Sequence, residues 1–197
     1  MENERGSCWI ETCTGIPFYP LDPRPEEISI NDIAHALSLI CRYNGHARYH
    51  YSVAQHSIYC SYLAMLRGHG PLVAMYALLH DAAEAYICDI PRPIKGELTG
   101  YAQIEHDLQW KIFEAFGLTP LASSERKDIA HLVKTIDDDI LNIEAVTLLS
   151  KASWARPVDN AIRIEVTLWP WQWAEIKFKE EYSYFSKQIG IKEQEFE

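Results

Sequence analysis

Hydrophobic and polar positions take up a regular period only after an unpatterned start. Residues 1–28 contain four prolines and little periodicity, and they read as an irregular arm with a short extended piece at Trp9–Thr12. From residue 29 the pattern turns helical, with Ile30, Ile33, Leu37 and Ile40 recurring on one face. Ser29 suits the cap of that helix and Asp32 its first turn. A loop follows over 43–51. Ser52 and Gln55 then form an S-x-x-Q capping box, which predicts a helix to about Arg67, ended by Gly68 and Gly70.

Pro71 suits the start of a helix over roughly 72–87. The stretch CDIPRPIKG, with its two prolines, predicts a rigid loop. Tyr101, Ile104, Leu108, Ile112 and Phe116 mark a further helix stopped by Gly117. Pro120 and Ser123-Ser124 separate it from a long helix over about 125–150, whose apolar positions are 129, 132, 133, 136, 140 and 143. Residues 163–169 alternate weakly, as a short strand would. Pro170 precedes a last amphipathic helix from Trp171 to about Ile189, before Gly190. The expected fold is therefore all-α, a compact bundle of five or six main helices in a single domain over 1–197. No alternation of strand and helix points to a parallel sheet.

The 197 residues are enough to bury a core, and 48% hydrophobic with 23% charged is ordinary for a globular chain. The formal charge of −10 disfavours non-specific binding to nucleic acid. It leaves room for a small anionic substrate, because a bound cation reverses the local sign. The five cysteines (8, 13, 41, 60, 88) are scattered, odd in number and without a C-x-x-C pair, which predicts free thiols in a reducing cytoplasm. Cys8 and Cys13 lack a second ligand pair at finger spacing. The first residues hold no apolar signal segment, and the longest apolar run, Leu72–Leu79, is far short of a membrane span.

Most of the eight histidines need no function. His69 and His131 read as surface or packing residues, His35 and His106 as structural, and His46 and His50 as loop residues without assignment. His80 and Asp81 differ, because they fall in the apolar stretch LVAMYALLHDAAEAY, where unpaired charge is costly to bury. On a helix His80, Asp81 and Glu84 span an arc of about 100°. A metal ion would serve as their common partner, since imidazole and carboxylate suit zinc, cobalt, manganese or iron. A buried His–Asp hydrogen-bonded pair is the plainer alternative. His56, one turn into the preceding helix, is placed to approach them if the two helices pack antiparallel. The long helix offers Asp137, Asp138 and Asp139. Asp138 points away from the apolar stripe, whereas Asp137 and Asp139 flank it about 80° from its centre, and periodicity does not choose between them.

The spacing H…HD…D across consecutive helices resembles the metal-dependent phosphohydrolases of the His-Asp (HD) superfamily. YSVAQHS (51–57), LLHDAAEAYICDIPRPIK (78–95) and KTIDDDILNIEA (134–145) resemble its 5′-deoxynucleotidase branch. The segment DIAHALSLICRYNGHARYHYSVAQHS is similar to phage-type members, among them dATP triphosphohydrolases. The resemblance covers roughly 28–150, an HD core followed by a C-terminal extension over 151–197. It implies that His56, His80, Asp81 and Asp137 hold the metal, with Asp137 preferred because Leu141 and Glu144 match the family pattern. It implies that Glu84 and Asp89 act near the scissile phosphate, that Arg42 contacts phosphate, that Tyr43 lies beside the nucleoside, and that Lys95 closes the P-x-P-x-K loop. Cys88 stands where the family usually has glycine, and Tyr43 where some members have tryptophan.

These matches imply hydrolysis of a nucleotide, with a deoxynucleoside triphosphate and dATP first and a deoxynucleoside 5′-monophosphate second. The expected cofactor is a divalent ion: zinc, cobalt, manganese or magnesium. Glu84 would orient or deprotonate the attacking water, and Asp89 would protonate a leaving oxygen or hold a sugar hydroxyl. Plainer readings make Arg42 a helix C-cap and Lys95 a solvated loop residue. A cyclic-dinucleotide phosphodiesterase and a non-catalytic, metal-stabilised nucleotide-binding module are the rival functions. Trp171, Ala174, Phe178 and Tyr182 recur at helical spacing, so WPWQW reads as core, with a self-association surface in a homo-oligomer as its alternative.

Overall fold

Ser29 opens the helical part of the chain: its hydroxyl accepts from Asn31 N at 3.2 Å, and α1 (Ile30–Leu39) follows. The computed structural model describes residues 5, 7–118, 123–158 and 164–194. Pro120 and residue 163 lie outside them. After α1, residues 42–45 make a tight 3-10 turn in which Tyr43 and Asn44 carry φ of 56° and 51°. Left-handed backbone is unusual for a bulky aromatic residue and fixes where its ring points.

Ser52 caps α2 (Val53–Leu66), its hydroxyl accepting from Gln55 N at 3.2 Å. Only that half of the capping box forms. The Gln55 side chain turns away to donate to the Thr167 carbonyl. α2 is buried on nearly every face, as a central helix must be. It packs against α3 (Gly70–Leu78), α7 (Ser123–Leu148) and α8 (Trp171–Ile189), while α8 also crosses α1 and α3. α6 (Tyr101–Ala115) ends at Gly117 and α8 at Gly190, both in the left-handed conformation that terminates helices.

The helix expected over 72–87 is two helices. α3 stops at Leu78, residues 79–83 form tight turns, and α4 covers only Glu84–Ile87. α5 (Arg92–Lys95) is one turn inside the proline loop. The strand expected near the C-terminal helix is absent: residues 164–169 are irregular, and Thr167 is fastened to α2 by Gln55 and by the Tyr59 hydroxyl at 3.1 Å. Eight helices, six of them nine residues or longer, make the described chain an all-α bundle.

The arm is held tightly. β1 (Ile10–Glu11) pairs antiparallel with β2 (Pro17–Phe18), and Phe18 is fully buried with its ring stacked 3.9 Å from that of Tyr86 in α4. Burying one such ring contributes roughly 1.5–3 kcal/mol. The Trp-rich segment divides: Ala174, Phe178, Tyr182 and Phe185 are core, whereas Trp173, Ile176 and Tyr184 are exposed. No helix among the described residues is long and apolar enough to cross a membrane.

Candidate metal centre

His56 comes from the first turns of α2, His80 and Asp81 from the break between α3 and α4, and Asp137 from the middle of α7. Their donor atoms face one point. His56 Nε2 lies 3.2 Å from Asp137 Oδ1 and 3.8 Å from Asp81 Oδ2. His80 Nε2 lies 3.2 Å from Asp81 Oδ2 and 3.9 Å from Asp137 Oδ1. Donors bound about 2.0–2.2 Å from a common ion at near-tetrahedral angles stand about 3.0–3.6 Å apart, and wider angles give up to about 4 Å. The four histidine–aspartate separations lie in or just beyond that range.

Both rings are turned so that Nε2 faces the cluster. His56 Nδ1 donates to Glu144 Oε1 at 2.7 Å, and His80 Nδ1 to the Ala77 carbonyl at 2.8 Å. Engagement of one ring nitrogen by a carboxylate or carbonyl is how ligand imidazoles are oriented. His80 Nε2 is buried and has no hydrogen-bond partner, since its approach to Asp81 lacks hydrogen-bond geometry. Buried polar atoms without a hydrogen bond also occur away from the cluster, at Glu27 Oε2, Gln55 Oε1 and Ser57 Oγ, so the convergence of donors, more than this one atom, marks the site.

Glu144 organises the layer behind. Fully buried, it takes the Tyr51 hydroxyl at 2.7 Å and the Tyr43 hydroxyl at 3.0 Å, and it pairs with Arg42 Nε at 3.4 Å. Arg42 Nη1 also donates to Asp81 Oδ2 at 3.3 Å. Its helix ends at Ile40, so Arg42 is no C-cap; its guanidinium is part of the cluster. Burial alone would lower the Arg42 pKa, but Glu144 and Asp81 raise it well above the ordinary value. Three carboxylates (Asp81, Asp137, Glu144) face one buried guanidinium, and Arg92 and Lys134 offset Asp137 from its outer side. In the metal-free chain a proton on His56 offsets part of the carboxylate charge. Despite burial and Arg42, which oppose it, Cys60, Glu144 and Asp137 hold the His56 pKa well above its usual range.

Cys60, one turn after His56, adds a sulfur. His56, Cys60 and His80 each bring a ligand atom within 4.8 Å of the others, a group able to hold a metal ion, with Cys60 Sγ 3.5 Å from His56 Nε2. Burial pushes the Cys60 thiol up to about 11, so without a metal it keeps its proton. The carboxylates of Asp81 and Asp137, both held below the usual range by the two histidines against the pull of burial, are the anionic donors at hand.

Glu84 is buried beside this cluster, and its Oε2 has no partner. Burial first, then Asp81 and Asp89, push its carboxyl up to about 10. In the metal-free chain it therefore carries a proton at neutral pH. A cation nearby lowers that value. Asp89 is raised as well, by burial and Asp81 against Arg42. It follows Cys88, whose φ of 73° keeps the backbone that glycine favours although the side chain is not glycine's. Lys95 turns to Glu105 at 2.5 Å and lies 5.7 Å from the Tyr101 ring centre, so it is tied to α6 at the edge of the site.

Of the three consecutive aspartates, Asp139 is engaged by Arg67 at 2.6 Å, and the more exposed Asp138 by Arg92 at 3.0 Å. Only Asp137 enters the cluster, with its outer oxygen held by Arg92 at 2.7 Å. Among the remaining histidines, His35 pairs with Glu175 at 3.1 Å, and His106 is exposed beside Asp107. Arg92 and Gln109 also touch the site and carried no sequence signal. Glu144 had one in the family pattern but no role. A cavity of about 1160 Å³ opens from His80, Asp81, Glu84 and Asp137 between α6 and α7.

No protein-family model matches the chain. It is similar to YfdR of Escherichia coli K12, an uncharacterized protein, with 43% identity over 119 residues, 60% of this chain and 64% of YfdR. It is similar also to the uncharacterized protein RCAP_rcc00048 of Rhodobacter capsulatus, with 33% identity over 142 residues, 70% of this chain and 71% of that protein. The chain thus spans just under two thirds of the length of YfdR.

Proposed function

The chain belongs to one family with RCAP_rcc00048 of Rhodobacter capsulatus, and we propose that its buried cluster makes it a metal-dependent phosphohydrolase of the HD type acting on a small nucleotide. The observation that carries this reading is the convergence of His56, His80, Asp81 and Asp137 on one another's donor atoms.

When bound, the ion supplies positive charge that lowers the pKa of water from about 15.7 toward about 7 and offsets charge on phosphoryl oxygens. The chain's own groups do the rest. His56 and His80, oriented from behind by Glu144 and the Ala77 carbonyl, present neutral nitrogens, and Asp81 and Asp137 present anionic oxygens. Arg42, fixed between Asp81 and Glu144, keeps a permanent positive charge on the phosphate side of the cluster. Glu84 holds or accepts a proton at its free Oε2 within reach of the reacting oxygen, and Asp89 serves the leaving group. Lys95, on the rim, draws the substrate's charge inward. Tyr43 commits its hydroxyl to Glu144, and its place beside the nucleoside rests on the resemblance alone.

The cavity off the cluster has room for a nucleotide, with Tyr76, Lys95, Trp110 and Phe113 on its walls, whereas Arg42, Tyr43 and Asp89 lie outside its lining. On the resemblance of its motifs the substrate is a deoxynucleoside triphosphate, dATP before others. The test is a panel of nucleoside mono- and triphosphates with each candidate ion, resolved by ion-exchange chromatography. Release of triphosphate means attack at the α-phosphorus, and phosphate from dNMP means a 5′-nucleotidase. No product with any ion, from protein that binds metal, means a non-catalytic module and ends the enzymatic reading.

A further inference from the structure

The residues that carry His80 and Asp81 sit in a stretch where local sequence and observed backbone disagree. From Leu72 to Ile87 the chain holds no glycine or proline and is rich in alanine and leucine, a composition that favours uninterrupted helix. Yet the helix breaks at residues 79–83. An unbroken helix would bond Ala83 N to the Leu79 carbonyl, the i to i−4 link across the break. The side-chain amide of Gln109, from α6, takes both of those groups instead. Its Oε1 accepts from Ala83 N at 3.1 Å, and its Nε2 donates to Leu79 O at 2.8 Å. A side chain inserted into the helical ladder is a recognised cause of a kink. The Leu79 carbonyl also takes Ala82 N at 3.1 Å, the tighter i to i−3 link.

We infer that Gln109 is a positioning residue that wedges open the α3–α4 junction and so sets the directions in which His80 and Asp81 meet the metal. Gln109 touches neither ion nor substrate in this role; it acts through Leu79 and Ala83, which flank the ligand pair. Its amide is the one side-chain chemistry of this length that gives a donor and an acceptor together. Glutamate at the same place, ionised, keeps the acceptor for Ala83 N and loses the donor for Leu79 O. Leucine loses both, and the strand of residues 79–83 is then free to close into the helix its composition favours. His80 and Asp81 are then turned away from His56 and Asp137. This rests on the metal-dependent reading above.

The test measures the affinity of the full-length protein for cobalt(II), the visible spectrum of the cobalt form, and the far-ultraviolet helical signal, in wild type, Gln109→Leu, Gln109→Glu and Ile112→Val. The last variant lowers core packing on the same helix without touching the break. Expected are a fall in cobalt affinity of about ten- to a hundredfold in Gln109→Leu, the range for groups that orient ligands, an altered cobalt spectrum, and a helical signal that holds or rises. Gln109→Glu falls between, and Ile112→Val keeps wild-type affinity and spectrum. Unchanged affinity and spectrum in Gln109→Leu overturn the inference, as does an affinity loss that Ile112→Val shows equally. Wild-type protein that binds neither cobalt nor zinc overturns the metal-dependent reading itself.

Discussion

Two buried carboxylate sites lie at opposite kinds of solution to the same problem. Asp32, in α1, is held by the arm: Thr14 N and Thr14 Oγ1 donate to it at 2.9 Å each, and Cys13 Sγ at 3.1 Å. Its donors are neutral, they are matched to both of its oxygens, and they come from a segment that the contact pins to the fold. The cluster of Asp81, Asp137 and Glu144 is built from charged partners instead, and it leaves His80 Nε2 and Glu84 Oε2 without a hydrogen bond. Satisfied polar burial stabilises a fold, whereas unsatisfied burial of excess charge keeps a place for something else. The difference separates a structural aspartate from a ligand set, and it can be broken or sharpened by substitution.

The largest expected effect is at Asp137. Asp137→Ala should reduce turnover roughly a thousandfold or more, because the water activation that depends on the ion is lost whole; steady-state rates against the best nucleotide check it. Asp32→Ala should leave metal affinity unchanged and cost about 3 kcal/mol in urea unfolding, since three donors lose their acceptor. A metal-affinity loss in Asp32→Ala would erase the contrast. Glu144→Gln should weaken metal binding about ten- to a hundredfold by releasing the grip on His56, read by calorimetric titration.

The smallest effect concerns pH. A carboxyl raised from 4.5 to about 10 on folding keeps a proton that the unfolded chain gives up, so Glu84 makes the metal-free protein less stable as pH rises across that window. Glu84→Gln removes the titration. It should stabilise the metal-free protein by about 1 kcal/mol or more at pH 8 and by little near pH 4, as thermal melts at the two pH values would show. Equal gains at both would mean that the carboxyl is not raised.

What the sequence disclosed follows from how local each cause is. Ser29 and Ser52 cap their helices through atoms two or three residues away, and α8 runs between Pro170 and Gly190 as its punctuation suggests. The break at 79–83 was illegible, because its cause is Gln109, some thirty residues onward. Gln55 left its capping box for Thr167 for the same reason. Of the site, His56, His80 and Asp81 stood out as polar groups in apolar helices. Periodicity left Asp137 and Asp139 open and the family pattern favoured Asp137; the bond of Arg67 to Asp139, which no periodicity announces, holds that aspartate outside the cluster. Glu144 is one more polar residue in a polar helix until its contacts with His56, Tyr43 and Tyr51 are seen.

The central claim is that these side chains gather around a single divalent ion. Elemental analysis of wild-type protein and of Asp137→Ala, each equilibrated against the same trace of zinc, cobalt and manganese and then freed of unbound metal, tests it most directly. The account predicts close to one ion per wild-type chain and a small fraction of that in the variant. Wild-type protein without metal, or a variant that retains it equally, would contradict the account.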